Sequence, residues 1–155
     1  MMNYLKTYVP RALIAAGIYC ITVIIFLSKG TYESIWILYC GNALYLISMA
    51  IIIYITYSAQ KFETSPLTST ISGHILSVTG AAITVIVSVI LYLLFYLGIG
   101  GLRGETLQDA PAGLAAGATH GILFVLIMNA VFGNTIAGFF AALFTSFDAT
   151  KNHAH

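Results

Sequence analysis

With 155 residues, a mean hydropathy of +0.95 and only 7% charged residues, the chain lacks the polar material that a water-facing surface needs, since soluble domains carry about a quarter charged residues. Six basic and five acidic residues leave a net charge of +1, which excludes the basic face that nucleic acid requires. The composition predicts an all-α integral membrane protein, a single transmembrane domain of four helices running up and down, with a short polar tail from Asp148 to His155.

The opening segment MMNYLKTYVPR sets Lys6 and Arg11 beside Tyr4 and Tyr8, a basic and aromatic mixture suited to a membrane–water boundary. Pro10 is expected in a first helical turn, where its missing N–H has no partner to lose. The first span is predicted over 12–28. It ends at Ser28-Lys29-Gly30 without a small-x-small cleavage site and reads as a retained span. A tight polar connection, Lys29 to Glu33, returns the chain into a second span over 34–57, with Trp36 and Tyr39 at one end and Tyr54 and Tyr57 at the other as aromatic belts. Ser58 to Ser72, carrying Lys61, Glu63 and Pro66, reads as a loop whose Ser69 or Ser72 caps the next helix.

The third span, predicted over 73–97, carries Gly73, Ser77, Gly80, Ala81, Thr84 and Ser88 as a small-residue stripe that lets a neighbouring backbone come close. The polar, glycine-rich stretch that follows holds Arg103, Glu105 and Asp109 and offers a loop on which a partner docks. From Ala112 to Phe147 there is no charge, and an unbroken helix of that length would reach about 54 Å, against a hydrocarbon core of about 30 Å. The fourth span is therefore predicted over 120–144, with the preceding turns at the interface. Gly113, Gly117 and Gly121, then Gly133, Ala137 and Ala141, repeat small residues at four-residue spacing. Spans three and four are expected to meet through these faces.

Polar side chains within apolar runs are expensive unless paired. Asn42, His120, Asn129 and Asn134 are either a polar track or interhelical hydrogen-bonding groups that fix the pairing of spans, and Asn42 and Asn129 fall at similar depth. His74 and His120 open spans three and four from opposite faces, so they cannot share one haem; each reads as an interfacial histidine, or as a contact to a cofactor held by another chain. Cys20 and Cys40 also fall at similar depth and read as inert small hydrophobes. No span holds Asp, Glu, Lys or Arg, which argues against proton-coupled transport. No metal constellation, nucleophile–base pair or phosphate-binding motif is present in the sequence. A non-catalytic chain with no cofactor is expected.

The run Met128-Asn-Ala-Val-Phe-Gly-Asn-Thr-Ile-Ala-Gly138 resembles the asparagine- and glycine-containing helix of the small four-span fluoride channels. That resemblance implies pore roles for Asn129 and Phe132, although the run lies in the last helix here and in the second helix of that family. The layout as a whole resembles small uncharacterised four-span bacterial inner-membrane proteins, which implies an inner-membrane location and no particular activity.

Lys6, Arg11, Lys61 and Lys151 fall on one side of the predicted topology and Lys29 and Arg103 on the other, a bias that places both termini in the cytoplasm. The expected role is that of an accessory or scaffold subunit of a larger membrane complex, a respiratory or transport assembly among them. Its partners are then the lipid bilayer and other membrane subunits, with a homo-oligomer as a further option. The alternative is a small channel or carrier for an anion or neutral solute, lined by the intramembrane asparagines and histidine.

Overall fold

A computed structural model describes residues 2–29, 32–59, 66–96 and 121–151, all of them helical. Helix α1 runs over Met2–Lys29, α2 over Trp36–Ala59 and α3 over Pro66–Tyr96. A 3-10 turn, Tyr32–Ile35, leads into α2. The last helix is built of α4, Gly121–Met128, and α5, Asn134–Lys151, joined through a π turn at Asn129–Gly133. Four helices are long and apolar enough to cross a membrane, over Tyr8–Lys29, Glu33–Thr56, Thr70–Phe95 and Gly121–Thr145.

Two helices begin earlier than the sequence pattern suggests. Pro10 lies inside α1 and not in its first turn. It is exposed, so the backbone bond that proline removes is lost on the outer face, away from the core. Helix α3 starts at Pro66, which makes Ser69 and Ser72 helical residues and not caps. A proline in the first helical position has φ already set for the helix and no N–H to leave unpaired.

The bundle is two hairpins side by side. Helix α1 packs on α2 and on α3, and α5 packs on α3 and on α2, whereas α2 and α3 stand almost diagonally opposite. Arg11 of α1 donates to Thr56 of α2 at 2.7 Å, and Gly41 of α2 lies against Thr22 of α1, so early residues of one helix meet late residues of the other. In the second hairpin Gly73 faces Ala142 and Ser77 faces Gly138 in the same sense. The apolar core has a layer on each side of the bundle's middle. One contains Val23, Phe26, Leu27, Leu38, Tyr92, Ile122 and Leu126; the other contains Ala12, Ala15, Met49, Ile53, Leu76 and Ala142.

The π turn has a geometric cause. Ile122, Leu126, Ala130, Asn134, Gly138 and Ala142 are all buried, at every fourth residue. A four-residue spacing outruns the 3.6-residue turn by about 40° per step, so a straight α-helix of this length would carry its inward row around to the outside. The extra residue in the wide turn takes back about 100° and keeps the row facing the bundle.

Candidate functional site: a polar layer at mid-height

Tyr19, Tyr45, Ala81 and Gly133 lie within two residues of the midpoints of the four apolar stretches. Around this level the chain concentrates its interior polar side chains. Asn42 of α2 and Asn129 of the π turn pair reciprocally: Asn42 Nδ2 donates to Asn129 Oδ1 at 3.0 Å, and Asn129 Nδ2 donates to Asn42 Oδ1 at 3.3 Å. Asn129 Nδ2 also donates to the Tyr19 hydroxyl of α1 at 2.7 Å. A distance of 2.7 Å is typical of O–H···O. Turning both amides over keeps their mutual pair and lets the Tyr19 hydroxyl donate to Asn129, so the trio is satisfied in either arrangement.

Tyr45 answers Tyr19 across the other diagonal. Its hydroxyl donates to the Ser77 carbonyl of α3 at 3.0 Å. Both tyrosine side chains are fully buried. Helices that do not otherwise lie side by side are thus tied through the centre by phenol groups, α1 to the π turn and α2 to α3.

Glycines make room for these polar heads. A β-carbon at Gly80 would strike the Tyr45 hydroxyl, one at Gly133 the Asn42 amide, one at Gly41 the Thr22 hydroxyl and one at Gly138 the Ser77 side chain. The Gly138 recess also brings its carbonyl within reach of Ser77 Oγ, which donates to it at 3.0 Å and to the Gly73 carbonyl at 2.9 Å. Each glycine therefore admits a hydrogen-bonding group from another helix as well as a close backbone. Gly80→Ala is accordingly expected to cost about 1–2 kcal/mol against the buried hydroxyl, and to be tolerated in a Tyr45→Phe background, measured as unfolding midpoints of the single and double variants.

The chain matches no protein-family model, no curated protein and no solved structure.

The small residues singled out in the sequence are distributed over several contacts. Gly73 and Ser77 face α5, where Gly138 and Ala142 receive them; Gly80 faces Tyr45, and Gly133 faces Asn42 of α2. Ala81, Thr84, Ser88, Ala137 and Ala141 are buried, and Gly121 is half-buried. Thr84 donates to the Gly80 carbonyl of its own helix at 2.8 Å. Gly113, Gly117, His120 and the loop residues Arg103, Glu105 and Asp109 lie outside the described residues.

Of the polar residues singled out, Asn42 and Asn129 meet, while Asn134 is buried and both of its side-chain atoms are without a hydrogen-bond partner. Phe132 points outward at 56% exposure, away from the partners of Asn129. His74 is exposed, with its ring edge-on to Phe139 at 5.8 Å. Cys20 is buried and Cys40 exposed, both as free thiols. Among the described residues no group of His, Cys, Asp and Glu is arranged to hold a metal.

Sequence reasoning did not select Tyr19, Tyr45, Gly41 or Gly138. A signal for the tyrosines was present: they fall in the middle of apolar runs, where the usual tyrosine of a membrane helix sits at the ends.

Proposed function

We propose that the chain is a multi-pass protein of the cell (inner) membrane, its four helices crossing up and down with both termini in the cytoplasm, and that it serves as a non-catalytic accessory or scaffold subunit of a larger membrane assembly. The observation that carries this reading is the closure of the polar layer. Tyr19, Asn42, Tyr45, Ser77 and Asn129 bond one another or the backbone across the bundle, between two apolar layers, which supports reading them as interhelical glue.

The outer surface supports the same reading. Trp36, Tyr39, Phe124, Phe132, Phe139, Phe140 and Phe144 are exposed, and the outward hydroxyls of Ser28, Ser48 and Thr79 donate to carbonyls of their own helices at 2.7–2.8 Å. Such back-bonding satisfies a hydroxyl where no water is present. Packing against lipid or another subunit is the chemistry that this apolar and aromatic surface offers.

Affinity purification of the tagged chain from native membranes in mild detergent tests this directly. Co-purification with larger membrane subunits in fixed ratio is expected; full recovery as an isolated monomer would sink the proposal. The second reading, a channel or carrier for an anion or neutral solute, draws on the unpaired amide of Asn134. It requires substrate-dependent flux in liposomes that Asn129→Leu abolishes in folded protein.

A further inference from the structure

Asn134 is a polar side chain that the bundle leaves unanswered. It is fully buried, and neither Oδ1 nor Nδ2 has a hydrogen-bond partner, although the amides of Asn42 and Asn129 at nearly the same level are paired. The pairings of Gly73 with Ala142 and Ser77 with Gly138 fix the register of α3 against α5. One turn further along, the same register sets Asn134 opposite Ala81. Ser77 serves α5 with a hydroxyl that reaches the Gly138 carbonyl. Ala81 is buried and presents only a methyl group.

We infer that Asn134 holds an internal water molecule between α5 and Ala81 of α3, at the mid-height of the bundle. The amide selects this ligand by its own chemistry, because it presents an acceptor and two donors together. A cation would satisfy Oδ1 and leave Nδ2 unmet, and an anion would do the reverse. Water donates to the one and accepts from the other. Buried waters are found where polar groups otherwise lack partners, and immobilising one is a smaller penalty than leaving an amide bare among apolar side chains.

The adjoining π turn strengthens the case. The Asn134 N–H closes on the Val131 carbonyl, three residues back, so the regular helical ladder is interrupted beside the amide, and π turns cluster where a helix opens to a bound group. Among the described residues Ser88 is the other interior side chain without a partner. It has a simpler remedy, since serines and threonines bond carbonyls four residues back in the same helix, as Ser77 and Thr84 do here. At Asn134 neither amide atom makes a bond of that kind to its own helix.

The test uses the full chain in lipid nanodiscs with 15N-labelled asparagine, so that it stands on the fold alone and is independent of any partner subunit. Rotating-frame water–protein NMR spectra are expected to show a cross peak from water to the Asn134 side-chain amide protons, with the sign of dipolar contact and not of proton exchange. The paired amide of Asn129 should show none. Asn134→Leu assigns the resonance by its loss. A water cross peak absent at Asn134, in a spectrum where residues at the helix ends give theirs, overturns the inference. So does a peak at Asn129 of equal strength, because hydration would then be general and not held by Asn134.

Discussion

Asn129→Leu is expected to lower the stability of the bundle by about 2 kcal/mol, and the loss should shrink when Asn42→Leu is added. The single change removes the partner of the Asn42 amide and of the Tyr19 hydroxyl at once. Stranding a buried polar group costs about 1–3 kcal/mol, whereas replacing both partners by apolar side chains is nearly neutral. Both amides are half-buried, and in the proposed membrane setting what exposure they have would face a medium that offers no hydrogen bonds. Interhelical hydrogen bonds in membranes average well under 2 kcal/mol, so the stranded groups, more than the bond itself, set the size of the effect. Equilibrium unfolding in mixed detergent micelles gives the four corners of the cycle. Strict additivity of the two substitutions would show that the amides act separately and that the reciprocal pair does not hold the layer.

Gly138→Ala is the second large effect, expected at about 2 kcal/mol net. The added methyl runs into the Cβ and Oγ of Ser77 and comes within 3.3 Å of its Cα, a backbone atom that moves only if the helix does. Overpacking of this kind costs about 1–3 kcal/mol, and separating the helices also weakens the Ser77 bond to the Gly138 carbonyl. Alanine's better helix propensity works against the loss by up to about 1 kcal/mol. Adding Ser77→Gly should restore most of the stability, since it moves the recess to the other side of the seam. If the double variant is no better than Gly138→Ala alone, the contact at this position is not what the glycine serves.

The helices were legible from hydropathy because a membrane-crossing helix is apolar on all sides and needs no partner to be recognised. Their starts were less so. Pro10 and Pro66 read as boundaries or loop residues, and both are helical, because a proline at an outward face or in a first turn gives up little. The depth argument that set Asn42 level with Asn129 anticipated a contact that the structure contains. Depth is a one-dimensional quantity that residue counting supplies. What counting does not supply is azimuth: the π turn at Asn129–Gly133 rotates everything after it, so that Gly138 and Ala142 face α3 while Gly133 faces Asn42 of α2. The small-residue stripe of α3 was visible, but its separate partners were not, since the Ser77 side chain and Gly80 differ by less than one turn and yet meet different helices, α5 and α2.

The division of contacts between the two hairpins has a consequence for the order in which the chain is made. Thr22 with Gly41 closes the first hairpin on itself, and Ser77 with Gly138 closes the second. Every mid-height brace instead joins the two, since Asn42 and Tyr19 need Asn129, and Tyr45 needs Ser77. A nascent chain that has inserted only α1 and α2 therefore carries a phenol on each helix and an amide whose partners have not yet been synthesised. The first hairpin is then a half-made object, marked by those bare polar groups until the second arrives to cover them.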